Sequence, residues 1–394
     1  MSRVAIYNLY WHTYGGGEQV SGAIAECLVE GHEVTLLGPV RPDVEASRAR
    51  LGVDLSKCEY MAVMEDDDAS NASAEFDVFI NGTYRSRARN HARRGVYYVH
   101  FPEPLPTSRE QVRSGVARLG LTLLGRVAKS AEGDVSLPRV KRALLRRRRD
   151  LTWVDSYSVF MANSDYTAGW VERLWGRQST VVYPAVRAVV SDVDANSKAP
   201  LIASIGRFFD PALGHSKKQQ DMLTAFTMMH EVGRTRVGVD EWRLAFVGGA
   251  DAASREYTLG VRRAARDLPV DVFVNKPRDV VERTLRSASI YWHGTGYGEQ
   301  VAQHPERFEH FGIAVVEAML AGCVPLVFGE AGPAEIVRHG VDGYHWHTLE
   351  QLAEFTYVLM TDPAKRRAMA KSAVERGREF SLDRFRGAIS AVVD

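Results

Sequence analysis

Residues 3–38 read RVAIYNLYWHTYGGGEQVSGAIAECLVEGHEVTLLG. Val4 to Leu9 is a short apolar run, Gly15-Gly16-Gly17 breaks it, and Glu18 to Val29 carries helical spacing. Gly31 stops that helix, and Glu33 to Leu37 returns as a strand. Further strands are expected at Phe76–Ile80, Val96–Val99, Val159–Ala162 and Thr180–Tyr183. Strands alternating with helices argue for a parallel sheet covered on both faces.

The pattern restarts after Asp192–Pro200, a polar stretch that reads as a linker. Leu201–Ile205, Arg243–Val247, Val270–Phe273, Ile290–His293 and Val324–Phe328 are the strands expected of the second half. The fold class is therefore α/β, with two Rossmann-like, doubly wound domains facing a central cleft. The expected bounds are 1–190 for the first domain and 198–378 for the second. Residues 379–394 form a C-terminal helix packing back on the first domain. Ligands of such sheets bind at the carboxyl ends of the strands. No repeat of solenoid period is present.

Composition narrows the function. A formal net charge of +1 over 394 residues gives no global field for nucleic acid. Cys27, Cys58 and Cys323 are too widely spaced for a metal knuckle or a disulfide framework. MSRVAIYNLYW lacks the apolar core of a signal peptide, and no run of about 18 apolar residues follows. These features suit a cytoplasmic protein, or one peripheral on the inner membrane face. Residues 112–149 hold an apolar amphipathic piece and then four consecutive arginines, Arg146 to Arg149. They read either as a solvated helical face or as a basic element meeting an anionic membrane or phosphorylated acceptor. The acidic run Glu65–Asp68 has no histidine beside it and is expected to be a solvated loop, so no metal site is expected.

The chemistry-bearing residues sit at strand ends. Tyr14–Glu18 follows the first strand, and glycines there let backbone N–H groups approach an anion at a helix N-terminus. The loop is not GxGxxG, and no acidic ribose partner follows the second strand, which counts against a nicotinamide site. In the second half, Gly206-Arg207-Phe208 ends the first strand, and His215-Ser216-Lys217-Lys218 lies just before a helix. An arginine fork and a lysine point charge at one strand end can grip a diphosphate. His100 ends a strand of the first half, and His293–Glu299, with Gly296, ends one of the second.

The stretch FEHFGIAVVEAML (residues 308–320) poses the sharpest question. From Ile313 to Ala321 every residue but Glu317 is apolar, so a buried helix holds one carboxylate. Glu309 lies just outside that helix. The two carboxylates belong to one loop-and-helix unit, which suits recognition of sugar hydroxyls better than the paired acids of glycoside hydrolysis.

Taken in order, the GGGE loop, ANSDYT…VVYPAV, SIGRFF…HSKKQ and the pair Glu309 and Glu317 resemble the retaining, nucleotide-sugar-dependent glycosyltransferases of the GT-B fold, glycosyl transferases group 1. HFGIAVVEAMLAGCVPLVF and GPAEIVRHGVDGY extend the likeness, which covers nearly the whole chain and is weakest over 104–150. YVHFP and GYGEQ…PERFEHFG look most like mannosyltransferases that extend lipid-linked oligosaccharides. The resemblance implies that Arg207 and Lys217 bind the donor diphosphate, that Glu309 contacts the transferred sugar and that Glu317 contacts the ribose. It implies that Phe311 and Gly312 offer backbone N–H groups, that Gly16 and Gly17 border the diphosphate, and that His100 sits near the reacting sugar. Gly206, Lys218, Ile313 and Gly296 complete the donor-binding set. The activity implied is retaining, metal-independent hexosyl transfer from a nucleoside diphosphate sugar to a hydroxyl of a glycan, glycolipid or small molecule, with no cofactor. A nucleotide-sugar epimerase of the same architecture, or a non-catalytic sugar-binding homologue, is the alternative.

Overall fold

A computed structural model describes residues 1–103, 151–188, 197–214, 216–233 and 241–393. The basic segment 112–149, most of the linker and His215 lie outside the described residues.

The first sheet holds β1 (Arg3–Tyr7), β2 (Glu33–Gly38), β3 (Glu59–Ala62), β4 (Val78–Asn81), β5 (Arg94–Val99), β6 (Val159–Ala162) and β7 (Thr180–Val181), in the order 3-2-1-4-5-6-7. The second holds β8 (Ala199–Ile205), β9 (Arg243–Gly248), β10 (Val270–Val274), β11 (Ala288–His293), β12 (Val324–Phe328) and β13 (Tyr344–Trp346), in the order 10-9-8-11-12-13. Every pairing in both is parallel. The strand order reverses between β1 and β4 in one sheet and between β8 and β11 in the other. Those are the two crevices where the ends of neighbouring strands diverge.

The described helices are α1 (Gly16–Leu28), α2 (Val44–Leu51), α3 (Asp66–Ser73), α4 (Asp165–Trp175), α5 (Gln219–Gly233), α6 (Arg255–Ala264), α7 (Arg278–Ser287), α8 (Ile313–Leu320), α9 (Ala331–Ile336), α10 (Leu349–Thr361), α11 (Pro363–Gly377) and α12 (Leu382–Val393). The central strands are buried on both faces, which is why they are continuous apolar runs. On one face of the first sheet, Ile6 and Val34 pack with Ile24 of α1 and with Phe385, Ile389 and Val392 of α12. The C-terminal helix thus crosses back onto the first domain. On the other face, Tyr7, Phe79, Tyr97, Trp153 and Trp175 form an aromatic core. Phe226, Phe246, Trp292 and Trp346 fill one side of the second sheet, and Tyr291, Val315, Val316 and Met319 the other.

The structure departs from the sequence reading in a few places. Glu65–Asp68 is not a loop: Glu65 is the N-cap of α3, and acidic residues are favoured in a first helical turn. Asp66 accepts hydrogen bonds from the Tyr7 hydroxyl (3.0 Å), the Ser86 hydroxyl (2.7 Å) and the Arg87 N–H (2.7 Å). Pro333 is the third residue of α9. Gly332 donates its N–H to the Glu309 carbonyl, which draws the first turn back against the 309–311 loop. β3 and β13 are short strands that the apolar pattern does not reveal, and β7 spans two residues only.

Candidate active site

A cavity of about 720 Å³ lies between the domains, where the two crevices face each other. From the first domain it is lined by the glycine loop (Gly15, Gly16, Gly17), Tyr84 after β4 and His100 after β5. From the second come Gly206 and Arg207 after β8, Lys217, His293 and Thr295 after β11, and Glu309 through Ile313. A second hollow, about 550 Å³, is lined by residues such as Leu201, Arg243 and Val280 and holds none of the motif residues.

The glycine loop is built for close approach. Glu18 accepts from the Gly15 N–H and the Thr13 hydroxyl, both at 2.7 Å, so its own carboxylate closes the start of α1. A Cβ at Gly16 would lie 3.1 Å from Ile313 of the other domain, and one at Gly17 would lie 3.6 Å from the His100 ring. Larger residues there would fill the cleft. His100 Nε2 hydrogen-bonds the Gly82 carbonyl at 2.9 Å. Burial pushes its pKa below the ordinary histidine value, with that hydrogen bond opposing, so the ring is neutral.

On the donor side, Lys217 forms an ion pair with Glu309, and His293 Nε2 is 3.4 Å from the same carboxylate. Burial works against ionisation of Glu309, but the Lys217 ammonium and the His293 hydrogen bond outweigh it and hold the carboxyl well below its ordinary value. Burial lowers the pKa of His293 in turn, so a neutral imidazole donates to Glu309. Lys218 points elsewhere. Its backbone sits at φ 58°, and its ammonium meets Glu299 at 2.8 Å, where Arg307 joins at 3.1 Å. Lys217 and not Lys218 therefore reaches the cavity. Arg207 is exposed at its edge, with its guanidinium 4.7 Å from the Phe209 ring centre, and no ion pair engages it among the described residues.

The helix question resolves differently from the expectation. Gly312, at φ 117°, turns the chain into α8, and this left-handed conformation favours glycine. At the start of α8 the N–H groups of Ile313 and Ala314 have no helical acceptor, whereas Val315 already donates to the Gly312 carbonyl, and Gly312, Ile313 and Ala314 line the cavity. Glu317, expected to contact the donor ribose, is buried, is not among the residues lining the cavity, and pairs with Arg278 of α7. Burial raises its pKa, and the Arg278 guanidinium opposes the rise. Packing supplies the reason: a carboxylate on the inner face of an apolar helix needs a cation within reach, and α7 provides one. Gly296 is likewise not a lining residue. It has φ 98°, and a Cβ there would strike the Phe308 ring at 2.6 Å, so it shapes the loop ahead of Glu309. Gly206 does line the cavity, and a Cβ on it would meet the Lys217 side chain at 2.8 Å.

Sequence reasoning missed the contacts that join the domains beside this site. Phe101 stacks on His310 with ring centroids 4.2 Å apart, and Tyr166 packs against the same imidazole. The Tyr166 hydroxyl donates to the Pro305 carbonyl at 2.8 Å. Glu335 of α9 accepts from the N–H groups of Asp165 (2.9 Å) and Tyr166 (2.6 Å), capping α4 from the opposite domain. Only the aromatic residue after each site histidine or glutamate could have signalled this.

Comparison with known proteins follows the same division of the chain. Residues 190–376 match the family model described as glycosyl transferases group 1. A GDP-Man:Man(3)GlcNAc(2)-PP-Dol alpha-1,2-mannosyltransferase of Dictyostelium discoideum is 28% identical over 249 residues, 59% of this chain and 46% of that protein. The human protein of the same name is 28% identical over 58% of this chain and 46% of its own length. The match thus spans about half the length of these relatives. The crystal structure of Anabaena HepE in complex with UDP and glucose superposes with a TM-score of 0.67 at 14% identity, over 99% of both chains, a likeness of fold. The second sheet of this GT-B fold thus lies within the stretch, residues 190–376, that matches the glycosyl transferases group 1 model.

Proposed function

We propose that the protein transfers a hexosyl group from a nucleoside diphosphate sugar to an acceptor hydroxyl, with retention at the anomeric carbon and without a metal ion. The observation that carries this reading is the convergence of Gly16, Gly17, His100, Arg207, Lys217 and Glu309 on one interdomain cavity. Arg207 and Lys217 receive the diphosphate, and the first turn of α8 adds N–H groups near it. On donor binding Lys217 exchanges its Glu309 partner for phosphate oxygens, which frees the Glu309 carboxylate to accept from sugar hydroxyls.

The bond from the anomeric carbon to the diphosphate oxygen breaks as the bond to the acceptor oxygen forms on the same face. The acceptor proton passes to the departing diphosphate. The protein's part is to hold cations where negative charge develops, in a site already organised for it. His100, neutral and fixed through Nε2, borders the reacting sugar as a hydrogen-bonding group. The names of the relatives make GDP-mannose the first donor to test, and a hydroxyl of a phospho-linked glycan the first acceptor.

The test is thermal-shift and turnover measurement with a panel of GDP- and UDP-sugars. A bound donor at a hundredfold excess over Kd stabilises the folded state by about 2.7 kcal/mol. Arg207→Ala and Glu309→Ala should abolish transfer and leave the fold intact. Near-wild-type turnover by either variant, or no stabilisation by any nucleotide sugar, would sink the reading.

A further inference from the structure

The loop after β4 is arginine-rich: Arg85, Arg87, Arg89 and Arg93 fall within nine residues, and Arg94 opens β5. Its backbone is fixed by other groups. Asp66 takes the Arg87 N–H and the Ser86 hydroxyl, the Tyr97 hydroxyl donates to the Ser86 carbonyl at 2.9 Å, and the Tyr157 hydroxyl donates to the Ala88 carbonyl at 2.6 Å. These bonds hold the loop without the Arg85 and Arg87 guanidinium groups, while Arg89 donates to the Thr152 hydroxyl at 2.6 Å. Arg85 nevertheless sits at φ 58°, a left-handed conformation that costs a non-glycine residue about 1–2 kcal/mol.

That conformation sets the Arg85 guanidinium 5.0 Å from the centre of the Tyr84 ring, and Tyr84 lines the cleft on the first-domain side. Arg87 Nη2 binds Glu103 Oε2 at 2.7 Å, while Arg85 Nε lies 3.5 Å from Glu103 Oε1. The Trp175 indole N–H holds the Glu103 carbonyl at 2.8 Å, so the carboxylate is presented from a fixed backbone. Two guanidinium forks thus share one carboxylate, at side-chain exposures of 41%, 34% and 30% for Arg85, Arg87 and Glu103. Most of their N–H donors have no partner among the described residues, and the three groups carry a net charge of +1. Forks of this kind bind carboxylate and phosphate interchangeably.

We propose that Tyr84, Arg85 and Arg87 form an anion site on the acceptor side of the cleft that binds a phosphate or diphosphate group carried by the acceptor, with Glu103 holding its place until the acceptor arrives. This rests on the transfer reaction proposed above, and gives its acceptor a chemical class. The acceptor hydroxyl enters beside His100 and the glycine loop, while its anionic end docks on the arginines outside Tyr84. Glu103 screens the pair when the site is empty and yields to a group of higher charge.

The test is a titration of the full chain with inorganic pyrophosphate after the donor site has been saturated with GDP or UDP. Arg85→Gln combined with Arg87→Gln should weaken pyrophosphate binding about tenfold or more, the loss of one or two charge-assisted hydrogen bonds. Glu103→Gln should tighten it by about three- to tenfold, because the competing carboxylate is gone. A purely structural bridge predicts no tightening, so unchanged affinity in both variants overturns the proposal. Binding of the nucleoside diphosphate, measured first in the same variants, reports on the donor reading alone. Co-sedimentation with phosphatidylcholine vesicles containing phosphatidylglycerol separates the sources of the anion. If the double variant loses vesicle binding while pyrophosphate affinity is unchanged, the site reads lipid headgroups and the proposal fails.

Discussion

Phe101 and His310 stack across the domain interface with ring centroids 4.2 Å apart and planes 14° from parallel. Each is the chain neighbour of a cleft residue, Phe101 of His100 and His310 of Glu309. The stack therefore sets the spacing between the acceptor-side and donor-side walls. Phe101→Leu keeps the apolar bulk and removes the ring–ring contact, worth about 0.5–1.5 kcal/mol. Turnover should fall by about two- to tenfold with donor affinity little changed, because the proposed diphosphate-binding Arg207 and Lys217 both lie on the second domain. Steady-state kinetics with a direct donor Kd checks this; a change confined to donor Kd would refute it.

Lys217 and Lys218 are adjacent, yet they meet different partners, Glu309 at the cavity and Glu299 away from it. Lys217→Ala should cut turnover by about a hundredfold or more, as loss of a preorganised charge at a leaving group does, with little change in melting temperature. Lys218→Met should do the reverse. It leaves the half-buried Glu299 with Arg307 alone, at a cost of about 1–3 kcal/mol after allowance for partial solvent access. Urea denaturation beside single-turnover measurement separates the two.

These opposite roles show what the sequence could and could not carry. The central strands were legible because burial on both faces makes them apolar runs, as in VAIY, LIASI and VPLVF. β3, half exposed at a sheet edge, lacked that mark. The cleft itself was legible, since strand ends of two doubly wound sheets must face it. Partner choice was not. Lys218 finds Glu299 and Glu317 finds Arg278 only once segments distant in sequence are packed, and no local spacing encodes that. The clamp of Phe101 on His310 was hidden for the same reason.

Arg278 and Glu317 form a pair whose carboxylate is buried and whose guanidinium is partly exposed. Arg278→Ala strands the Glu317 charge and should cost about 1–3 kcal/mol. Glu317→Gln should cost less, and the double variant should recover part of the Arg278→Ala loss. A coupling energy near zero in that cycle would show that the two do not act together. Donor affinity should move less than about tenfold in Glu317→Gln, since the side chain is engaged by Arg278 and is not among those lining the cavity.

Stability should fall as the solution becomes acidic, and the buried histidines of the cleft set the upper edge of the window. His100 and His293 have pKa values lowered chiefly by burial. In the unfolded chain a histidine titrates near 6.5. Below about pH 6.5 the unfolded state takes up protons that the folded state refuses, so stability is complete above that value and lost as pH drops toward the folded values. Glu309 acts in the same direction at lower pH, because its folded pKa lies below that of an unfolded glutamate. Its contribution is present above about pH 4.5 and is lost as pH falls through the folded value. Each histidine adds at most about 1.4 kcal/mol per pH unit to the slope. Urea midpoints measured from pH 8 to pH 5 should therefore decline below about 6.5, and replacing both histidines by glutamine should flatten the decline. An unchanged slope in that double variant would mean that the protons are taken up elsewhere.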